Sequence, residues 1–327
     1  MVAEPLLLLE CVVLLVIALM ATYLIIPWLI AALRKAEITG RDMHKRGNPE
    51  IPTMGGVGVF VGFATAMTFS AMLGLDYRLL FAIFLSGTLA LLAGFIDDLF
   101  ELGKATLVII TFLVGMPVVA FQAGSTLVFL TPVGPADFGW YFWFLVPFVF
   151  AFAMNGVNIY AGFNGLEAGL GAVSTLSLGV CALFYGSLES AVALFALSGG
   201  LLAFLRWNWF PARLFMGGTG TFLIGAVLAS SVIAGSIKVV GVIALLPYVI
   251  NFVLRASDRF RWTVGETLQN GLLNSGRRNA MWALFMHNHP TTEKQVVLRC
   301  LVVQVLFGLA AVAFAYYHAN LVAPKIG

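Results

Sequence analysis

The sequence predicts an all-α polytopic membrane protein, with about ten transmembrane helices in a single domain over residues 1–327. Hydrophobic residues make up 61% of the 327 residues and charged residues only 10%, which is too apolar a composition for a soluble globule. The apolar runs are continuous and do not alternate with polar residues. This pattern favours membrane-spanning helices over the strands of a barrel.

Ten apolar windows are candidates for crossing a hydrocarbon core, which takes about 17–25 residues. The first lacks a basic n-region and a convincing cleavage site, so we expect it to remain a membrane span. The windows are residues 6–33, 57–73, 79–96, 105–121, 140–157, 166–184, 191–205, 220–237, 239–254 and 297–317.

Basic residues predict which side of the membrane each connection occupies. The segments after the odd-numbered windows carry fifteen of the eighteen Lys and Arg residues, and only Arg78, Lys238 and Lys325 lie on the opposite side. The positive-inside rule makes the basic face cytoplasmic and places both termini outside the cytoplasm. The predicted cytoplasmic loops lie near residues 34–56, 97–104, 155–169, 206–219 and 255–296.

Two other features of the chain carry no predicted chemistry. The connector at residues 122–139 contains Gly, Pro and Thr and can form a small hairpin on the opposite face. Cys11, Cys181 and Cys300 fall in or beside apolar spans without metal-ligand spacing, which predicts three buried thiols.

Residues 155–169 form a glycine-rich polar stretch between two apolar windows, with three asparagines and one glutamate. Uncompensated amides and a carboxylate are costly at membrane depth, so a functional site is favoured. The structural alternative is that Asn155 and Asn158 cap or kink helix ends.

The first loop places Asp42, His44 and Lys45 before the sequence Pro-Thr-Met-Gly-Gly. Lys45 and Arg46 are expected to attract phosphates. The glycine pair at residues 55–56 allows close approach of an anion or of another helix.

Asp97 and Asp98 end the third window at the same predicted face. Consecutive helical positions point about 100° apart, so the two carboxylates are expected to have different roles. One is expected to face a metal or substrate, and the other to pair with a cation such as Lys104.

The last predicted cytoplasmic segment is rich in arginine and histidine, and guanidinium groups match phosphate geometry. Lipid-headgroup anchoring is the alternative for several of these arginines. A zinc site at His287 and His289 is disfavoured because no further Cys or His completes it. The other basic residues are Arg255, Arg259, Arg261, Arg277 and Arg278.

These motifs, in this order, resemble the polyprenyl-phosphate N-acetylhexosamine-1-phosphate transferases of glycosyltransferase family 4. Residues 155–167 match the pattern Asn-x-x-Asn-Ile-x-Ala-Gly-x-Asn-Gly-Leu-Glu, which is typical of the UDP-GlcNAc:dolichyl-phosphate branch. The resemblance implies transfer of GlcNAc-1-phosphate from UDP-GlcNAc to dolichyl or polyprenyl phosphate, with UMP as the other product. This would be the first step in assembling a lipid-linked oligosaccharide for protein glycosylation.

The resemblance also implies roles for individual residues and a Mg²⁺ cofactor, with Mn²⁺ as a substitute. Asn158 would contact the metal. The implied catalytic residues are Asp97, Asp98, Lys45 and Lys104. The implied substrate-binding residues are Asn155, Asn164, Gly165, Leu166, Glu167, Arg277, Arg278, His287 and His289.

Gly218 departs from the family's pattern. Residues 206–220 resemble Asn-Trp-x-Pro-x-x-x-Phe-x-Gly-Asp-Thr, but the family's metal-binding aspartate is Gly218 here. Glycine has no side-chain oxygen, so metal binding and turnover are expected to be weakened.

Three alternatives stay open at this point. A bacterial-type relative would use undecaprenyl phosphate or another UDP-sugar. The sequences Ala161-Gly162 and Asn164 to Glu167 argue against it, because the peptidoglycan branch generally has aspartates in this region. A non-catalytic homologue would bind UDP-GlcNAc without turnover, and a transporter would be expected to have charges buried mid-span. The expected location is the cell membrane in a prokaryote or the endoplasmic reticulum in a eukaryote, with a cytosolic site. No nucleic-acid partner is expected, and a homodimer is common in the family.

Overall fold

The computed structural model describes residues 5–45, 47–130, 134–261, 266–268 and 271–319. Helices dominate this part of the chain, and its strands are short antiparallel pairs. The helices are α1 (Pro5–Lys35), α2 (Gly56–Ser70), α3 (Tyr77–Phe100), α4 (Lys104–Leu113), α5 (Met116–Ala120), α6 (Gly139–Ile159), α7 (Leu166–Phe184), α8 (Leu188–Asn208), α9 (Gly217–Ala234), α10 (Lys238–Ser257), α11 (Met281–Leu284) and α12 (Glu293–Tyr317). The strands are β1 (Thr39–Arg41), β2 (Glu50–Pro52), β3 (Leu127–Leu130), β4 (Gly134–Asp137), β5 (Glu266–Thr267) and β6 (Leu273–Asn274).

Within the described residues, nine helices are long and apolar enough to cross a membrane. The predicted fourth span is shorter and interrupted, because α4 ends at Leu113 and α5 begins at Met116. Pro117 lies in the first turn of α5, where its missing N–H group is tolerated. The all-helical, multi-pass architecture is confirmed, with nine long helices and one broken apolar segment.

The helices alternate in direction, so one end of the bundle collects the predicted motifs. We call this the polar end. The helices that begin there are α2, α7, α9 and α12, and those that end there are α1, α3, α6, α8 and α10. Contacts between Asp98 and Gly218, and between Asn164 and Glu293, join these ends directly.

Helix α9 lies at the centre of the bundle, and every residue from Gly218 to Ala234 is buried. Two glycine contacts allow this packing. A Cβ atom at Gly94 of α3 would collide with the backbone of Gly218 and Thr219, and one at Gly56 of α2 would collide with the backbone of Gly220. The amides of residues 55 and 56 donate to carbonyl groups at 215 and 216, at 2.8 and 3.0 Å. This glycine pair therefore serves helix packing in the structure.

At the opposite end of the bundle, β3 and β4 form the small antiparallel hairpin that the sequence predicted. Lys238 fastens it to α10, because its Nζ donates to the carbonyl oxygens of Ser125 and Leu127 at 2.7 and 3.0 Å. The three cysteines are free and buried, as expected.

We expect Gly94→Ala to destabilise the protein by about 1–3 kcal/mol or more, because the added methyl group meets backbone that cannot move aside. Gly156→Ala is the matched control, since Gly156 also lies within a helix but has nothing within 4 Å of an added Cβ. The measurement is the melting temperature of the two variants in detergent. Equal melting temperatures would contradict the packing argument.

Candidate active site

A cleft of about 300 Å³ opens at the polar end of the bundle. Its walls come from the first loop, from the 155–169 stretch and from the start of α9. The predicted site residues that line it are Asn158, Asn164, Glu167 and Gly218. The other polar and aromatic residues in its lining include Arg41, Asp42, His44, Thr53, Phe163, Asn208, Phe215, Thr221, Arg255 and Trp282.

Asp98 is anchored to the first turn of α9. Its Oδ1 accepts a hydrogen bond from the Gly218 amide at 2.7 Å, and its Oδ2 accepts one from the Thr219 amide at 3.1 Å. The first amides of a helix have no partner within the helix and carry partial positive charge, so a carboxylate is well suited to this place. Asp98 thus fixes α9 relative to α3.

Asp97 is oriented differently, as the helical spacing predicted. Its Oδ1 accepts from the Leu102 amide at 3.1 Å, and its Oδ2 lies 3.5 Å from the place of an added Cβ at Gly218. Among the described residues, no cation lies within 4 Å of either carboxylate, and Lys104 is exposed. The expected pairing of one aspartate with Lys104 is therefore wrong for this structure.

Asn158 lies near the same end of α9. Its Oδ1 accepts from the hydroxyl group of Thr221 at 2.8 Å, and that hydroxyl also lies 3.3 Å from the carbonyl oxygen of Gly218. Asn158, which the resemblance predicts to contact a metal, and Gly218, at the position where the resemblance implies a second ligand, are therefore neighbours.

A buried ionic network joins the first loop to α12. Lys45 Nζ lies 2.9 Å from Asp42 Oδ2 and 2.7 Å from Glu293 Oε2. The Asn164 amide donates to Glu293 Oε1 at 2.8 Å, and Asn164 Nδ2 donates to Asp42 Oδ2 at 3.1 Å. Asp42 and Glu293 are buried, so pairing with Lys45 compensates charges that would otherwise be costly.

The 155–169 stretch forms a tight loop between α6 and α7. Glu167 Oε1 accepts from the Gly162 amide at 2.9 Å, and Asn208 Oδ1 accepts from the Gly165 amide at 3.1 Å. Gly165 has a φ of +84°, and an added Cβ would meet the Trp209 ring at 2.7 Å. This position requires glycine both for its backbone conformation and for its packing.

His44 stacks on Phe163, with ring centroids 4.5 Å apart and planes 20° from parallel. Burial lowers the pKa of His44 from 6.5 to about 4; the Asp42 carboxylate opposes this shift and Lys45 adds to it. His44 is therefore neutral at pH 7. Its Nε2 and the Nε1 of Trp282 are buried atoms of the cleft that have no hydrogen-bond partner among the described residues.

The remaining predicted site residues do not line the cleft. Asn155 donates to Thr111 Oγ1 at 2.9 Å and to the Ala151 carbonyl at 2.8 Å, so it ties α6 to α4. Leu166 is part of the core. The other predicted site residues outside the lining are Asp97, Asp98, Lys45, Lys104, Gly165, Arg277, Arg278, His287 and His289.

In the last predicted cytoplasmic segment, the side chains of Arg277 and His287 have defined partners. Arg277 Nη1 lies 3.1 and 3.0 Å from the two carboxylate oxygens of Asp258. His287 Nδ1 lies 3.0 Å from the carbonyl oxygen of Ser275. Arg46, which was expected to attract phosphates, lies outside the described residues.

Several residues of the site were not assigned a role by the sequence. Asp42 and Asn208 belong to motifs that the sequence analysis had singled out, so their place in the site could have been predicted from these motifs. Glu293 and Trp282 carried no signal, because only folding brings their segments to the cleft.

The oxygen donors around Gly218 suit a magnesium ion. Mg²⁺ prefers oxygen ligands, keeps several waters and is often held by one or two carboxylates together with substrate phosphates. Asn158 supplies an amide oxygen, and Asp97 supplies a carboxylate oxygen close to Gly218. No group of three or more His, Cys, Asp or Glu residues suited to a metal occurs in the described part of the chain.

The fold and the cleft define an integral membrane protein with a polar site at one end of a helical bundle. The family model for glycosyl transferase family 4 matches residues 80–236. A relative from Desulforamulus reducens, named phospho-N-acetylmuramoyl-pentapeptide-transferase, is 31% identical over 253 residues, covering 69% of this chain and 75% of the relative. The chain belongs to glycosyl transferase family 4.

Two archaeal relatives match a larger share of the chain. Both carry the provisional name UDP-N-acetylglucosamine–dolichyl-phosphate N-acetylglucosaminephosphotransferase. The protein from Sulfolobus acidocaldarius is 29% identical over 311 residues, covering 91% of this chain and 94% of the relative. The protein from Saccharolobus solfataricus is 29% identical over 298 residues, covering 89% and 92%.

We expect Asp98→Asn to lower stability by about 1–3 kcal/mol, because its NH₂ group would face one of the two α9 amides and leave it unpaired. Asp97→Asn is the matched control, since an amide oxygen can still accept from Leu102. Melting temperatures of the two purified variants check this. A larger loss for Asp97→Asn would reverse the assignment of the two carboxylates.

We also expect acid to destabilise the loop that carries His44. The unfolded chain takes up a proton at His44 near pH 6.5, whereas the folded chain does so near pH 4. The stability contributed by neutral His44 is therefore fully present above pH 6.5 and is lost as the pH falls towards 4. His44→Phe keeps a ring against Phe163 and should flatten the melting-temperature profile in this window. An unchanged profile in the variant would show that His44 is not the titrating group.

Proposed function

We propose that the chain transfers GlcNAc-1-phosphate from UDP-GlcNAc to a polyprenyl phosphate such as dolichyl phosphate. The products are GlcNAc-diphospho-polyprenol and UMP, and the reaction would begin the assembly of a lipid-linked oligosaccharide. Family membership and the names of the two archaeal relatives support this reaction class.

The observation that carries the proposal is the junction of an apolar groove with the polar cleft. The groove has a volume of about 530 Å³ and is lined by α6, α9 and α10. Its lining includes Gly156 and Val157, while the next residue, Asn158, lines the cleft. An isoprenoid tail suits the groove, and its phosphate would then lie beside the cleft.

Groove residues are exposed on the outside of the bundle, as access from a bilayer requires. Phe148 and Val242 are 52% and 64% exposed, respectively. At the far end of the groove, Lys238 Nζ lies 4.7 Å from the centre of the Phe142 ring. An apolar surface of this size is suited to lipid tails.

The cleft offers suitable groups for a nucleotide sugar. Phe215 provides an aromatic wall, and Asn164 provides an amide whose donors and acceptor match those of a uracil ring. The unpartnered His44 Nε2 and Trp282 Nε1 require polar partners, which a bound sugar nucleotide can provide. Arg255 is a buried cation in the same lining, suited to an anionic diphosphate.

In the proposed reaction, the polyprenyl phosphate attacks the β-phosphorus of UDP-GlcNAc and UMP leaves. The second pKa of a phosphate monoester is near 6, so the nucleophile is largely ionised at neutral pH and needs no strong base. The main task is to hold two anionic phosphates together. Asp98 positions the start of α9, and Asp97 with Asn158 would hold Mg²⁺, which neutralises phosphate charge when bound.

Topology and assembly are further parts of the proposal. The positive-inside distribution of Lys and Arg supports a cytosolic site and non-cytoplasmic termini. The membrane would be the cell membrane in a prokaryote or the endoplasmic reticulum in a eukaryote. A homodimer is compatible with the proposed reaction.

Two other functions have specific support. The name of the Desulforamulus relative, phospho-N-acetylmuramoyl-pentapeptide-transferase, favours transfer of another sugar phosphate. In this alternative we expect undecaprenyl phosphate as the acceptor. Gly218 favours a homologue that binds the nucleotide sugar without turnover.

The test is UMP release by purified protein given UDP-GlcNAc, dolichyl phosphate and Mg²⁺, beside Gly218→Asp. An added Cβ at Gly218 lies 3.1 Å from Asp98 Oδ1 and 3.5 Å from Asp97 Oδ2, so an aspartate there joins the acidic set. We expect Gly218→Asp to raise turnover by about tenfold or more, the effect of about 1.4 kcal/mol in the barrier, and to strengthen its dependence on Mg²⁺. Gly218→Ala is the control, since it adds the Cβ without the oxygens.

The outcomes separate the candidate functions. Turnover only in Gly218→Asp identifies a scaffold disabled at its metal site. Full turnover in the unmodified chain shows that other oxygens hold the ion. Turnover with undecaprenyl phosphate and another UDP-sugar alone favours the second function, and absence of turnover in every variant and with every substrate contradicts the transferase proposal.

A further inference from the structure

Asn164 is held at both its backbone and its side chain by two buried carboxylates. Its backbone amide donates to Glu293 Oε1 at 2.8 Å, and its side-chain Nδ2 donates to Asp42 Oδ2 at 3.1 Å. Asp42 is 3% exposed and Asn164 is 5% exposed, so neither contact competes freely with solvent. The side chain of Asn164 therefore has a defined orientation at the wall of the cleft.

Asp42 determines whether the NH₂ group or the oxygen of the Asn164 side chain points towards it. An ionised carboxylate only accepts hydrogen bonds, so it must face the NH₂ group of Asn164 and not its oxygen. Lys45 holds the same Asp42 oxygen at 2.9 Å, which keeps the carboxylate in place. No described residue donates to Asn164 Oδ1, so the amide presents an acceptor to a ligand.

The pyrimidine bases differ at the atom that such an acceptor can read. Uracil carries a hydrogen on N3 and is a donor there, whereas cytosine has a lone pair on N3 and is an acceptor. Asn164 Oδ1 would accept from N3 of uracil but would repel N3 of cytosine. Sites that bind a polar hydrogen strongly disfavour an analogue that lacks it.

We propose that Asp42 is a positioning residue that fixes the orientation of the Asn164 amide, so that the cleft selects uracil over cytosine. This inference rests on the proposed function, in which the donor is a UDP-sugar. Glu293 has a separate part in the arrangement, because it holds the backbone of Asn164 and does not choose the orientation of its side chain.

The experiment measures the dissociation constants of UDP and CDP by calorimetry on the purified full chain. We expect the wild-type chain to bind UDP more tightly, and Asp42→Ala to reduce the CDP-to-UDP ratio of dissociation constants by about tenfold or more. Asp42→Asn keeps an oxygen that can accept from Asn164 Nδ2 and should retain the wild-type ratio. Glu293→Ala removes the acceptor of the Asn164 backbone amide, and it should weaken both nucleotides by a similar factor and leave the ratio unchanged.

Asn164→Ala provides a second route to the same conclusion. It removes the acceptor and should lower the ratio as Asp42→Ala does, and the double variant should lower it no further, because Asp42 acts through Asn164. Asp42→Leu replaces Asp42→Ala if the smaller side chain prevents folding, as judged by the melting temperature.

Each outcome bears on a defined claim. Equal loss of UDP and CDP binding in Asp42→Ala would overturn the positioning role, and so would an unchanged ratio in Asn164→Ala. A wild-type chain that binds UDP without preference over CDP would overturn base selection while leaving the proposed transferase reaction intact. A wild-type chain that binds neither nucleotide would overturn both.

Discussion

The close packing of α9 against α2 and α3 is the constraint on which the candidate site depends. Glycines at positions 56 and 94 let the neighbouring helices reach the backbone at the start of α9. Only at this separation can Asp98 accept from the amides of Gly218 and Thr219. Backbone groups without partners are costly in a membrane protein, so the carboxylate that satisfies them also fixes the floor of the cleft.

The same principle accounts for the other acidic residues around the cleft. Glu167 accepts from the Gly162 amide and Glu293 accepts from the Asn164 amide, so both carboxylates fix the backbone of the loop between α6 and α7. A buried carboxylate needs such donors because it has lost its hydration. These acidic groups are therefore mostly committed to structure, and few oxygens are left to hold a metal. Gly218 bears on metal binding for this reason, because the neighbouring Asp97 has one carboxylate oxygen, Oδ2, that accepts no hydrogen bond from the described residues.

The sequence predicted the multi-pass fold and the small hairpin, and it singled out residues 155–169, three of whose predicted site residues line the cleft. Continuous apolar runs and polar motifs are local properties, so they can be recognised without the fold. It could not predict the partners of these motifs. Lys45 and Glu293 are 248 positions apart, and Asn164 and Asp42 are 122 apart, so their contacts exist only after the helices pack. Pro117 was a local signal for the break in the fourth span. The window was nevertheless predicted as one span, because it is apolar throughout. The histidines of the last segment matched a motif, yet motif membership does not specify where a side chain points.

The ion pairs of Lys45 limit how much of its positive charge can balance substrate phosphates. The predicted phosphate-binding cations were Lys45, Lys104 and arginines of the last segment, but Lys45 is neutralised by two carboxylates and Arg277 is paired with Asp258. Arg255 is the buried cation within the described cleft lining, at the end of α10, where its Nη1 donates to the Arg261 carbonyl at 3.3 Å. Arg41 also lines the cleft, but it is exposed and its Nε lies 3.9 Å from Glu50 Oε1. In the proposed reaction, a divalent ion held partly by phosphate oxygens and partly by the protein would add to this positive charge.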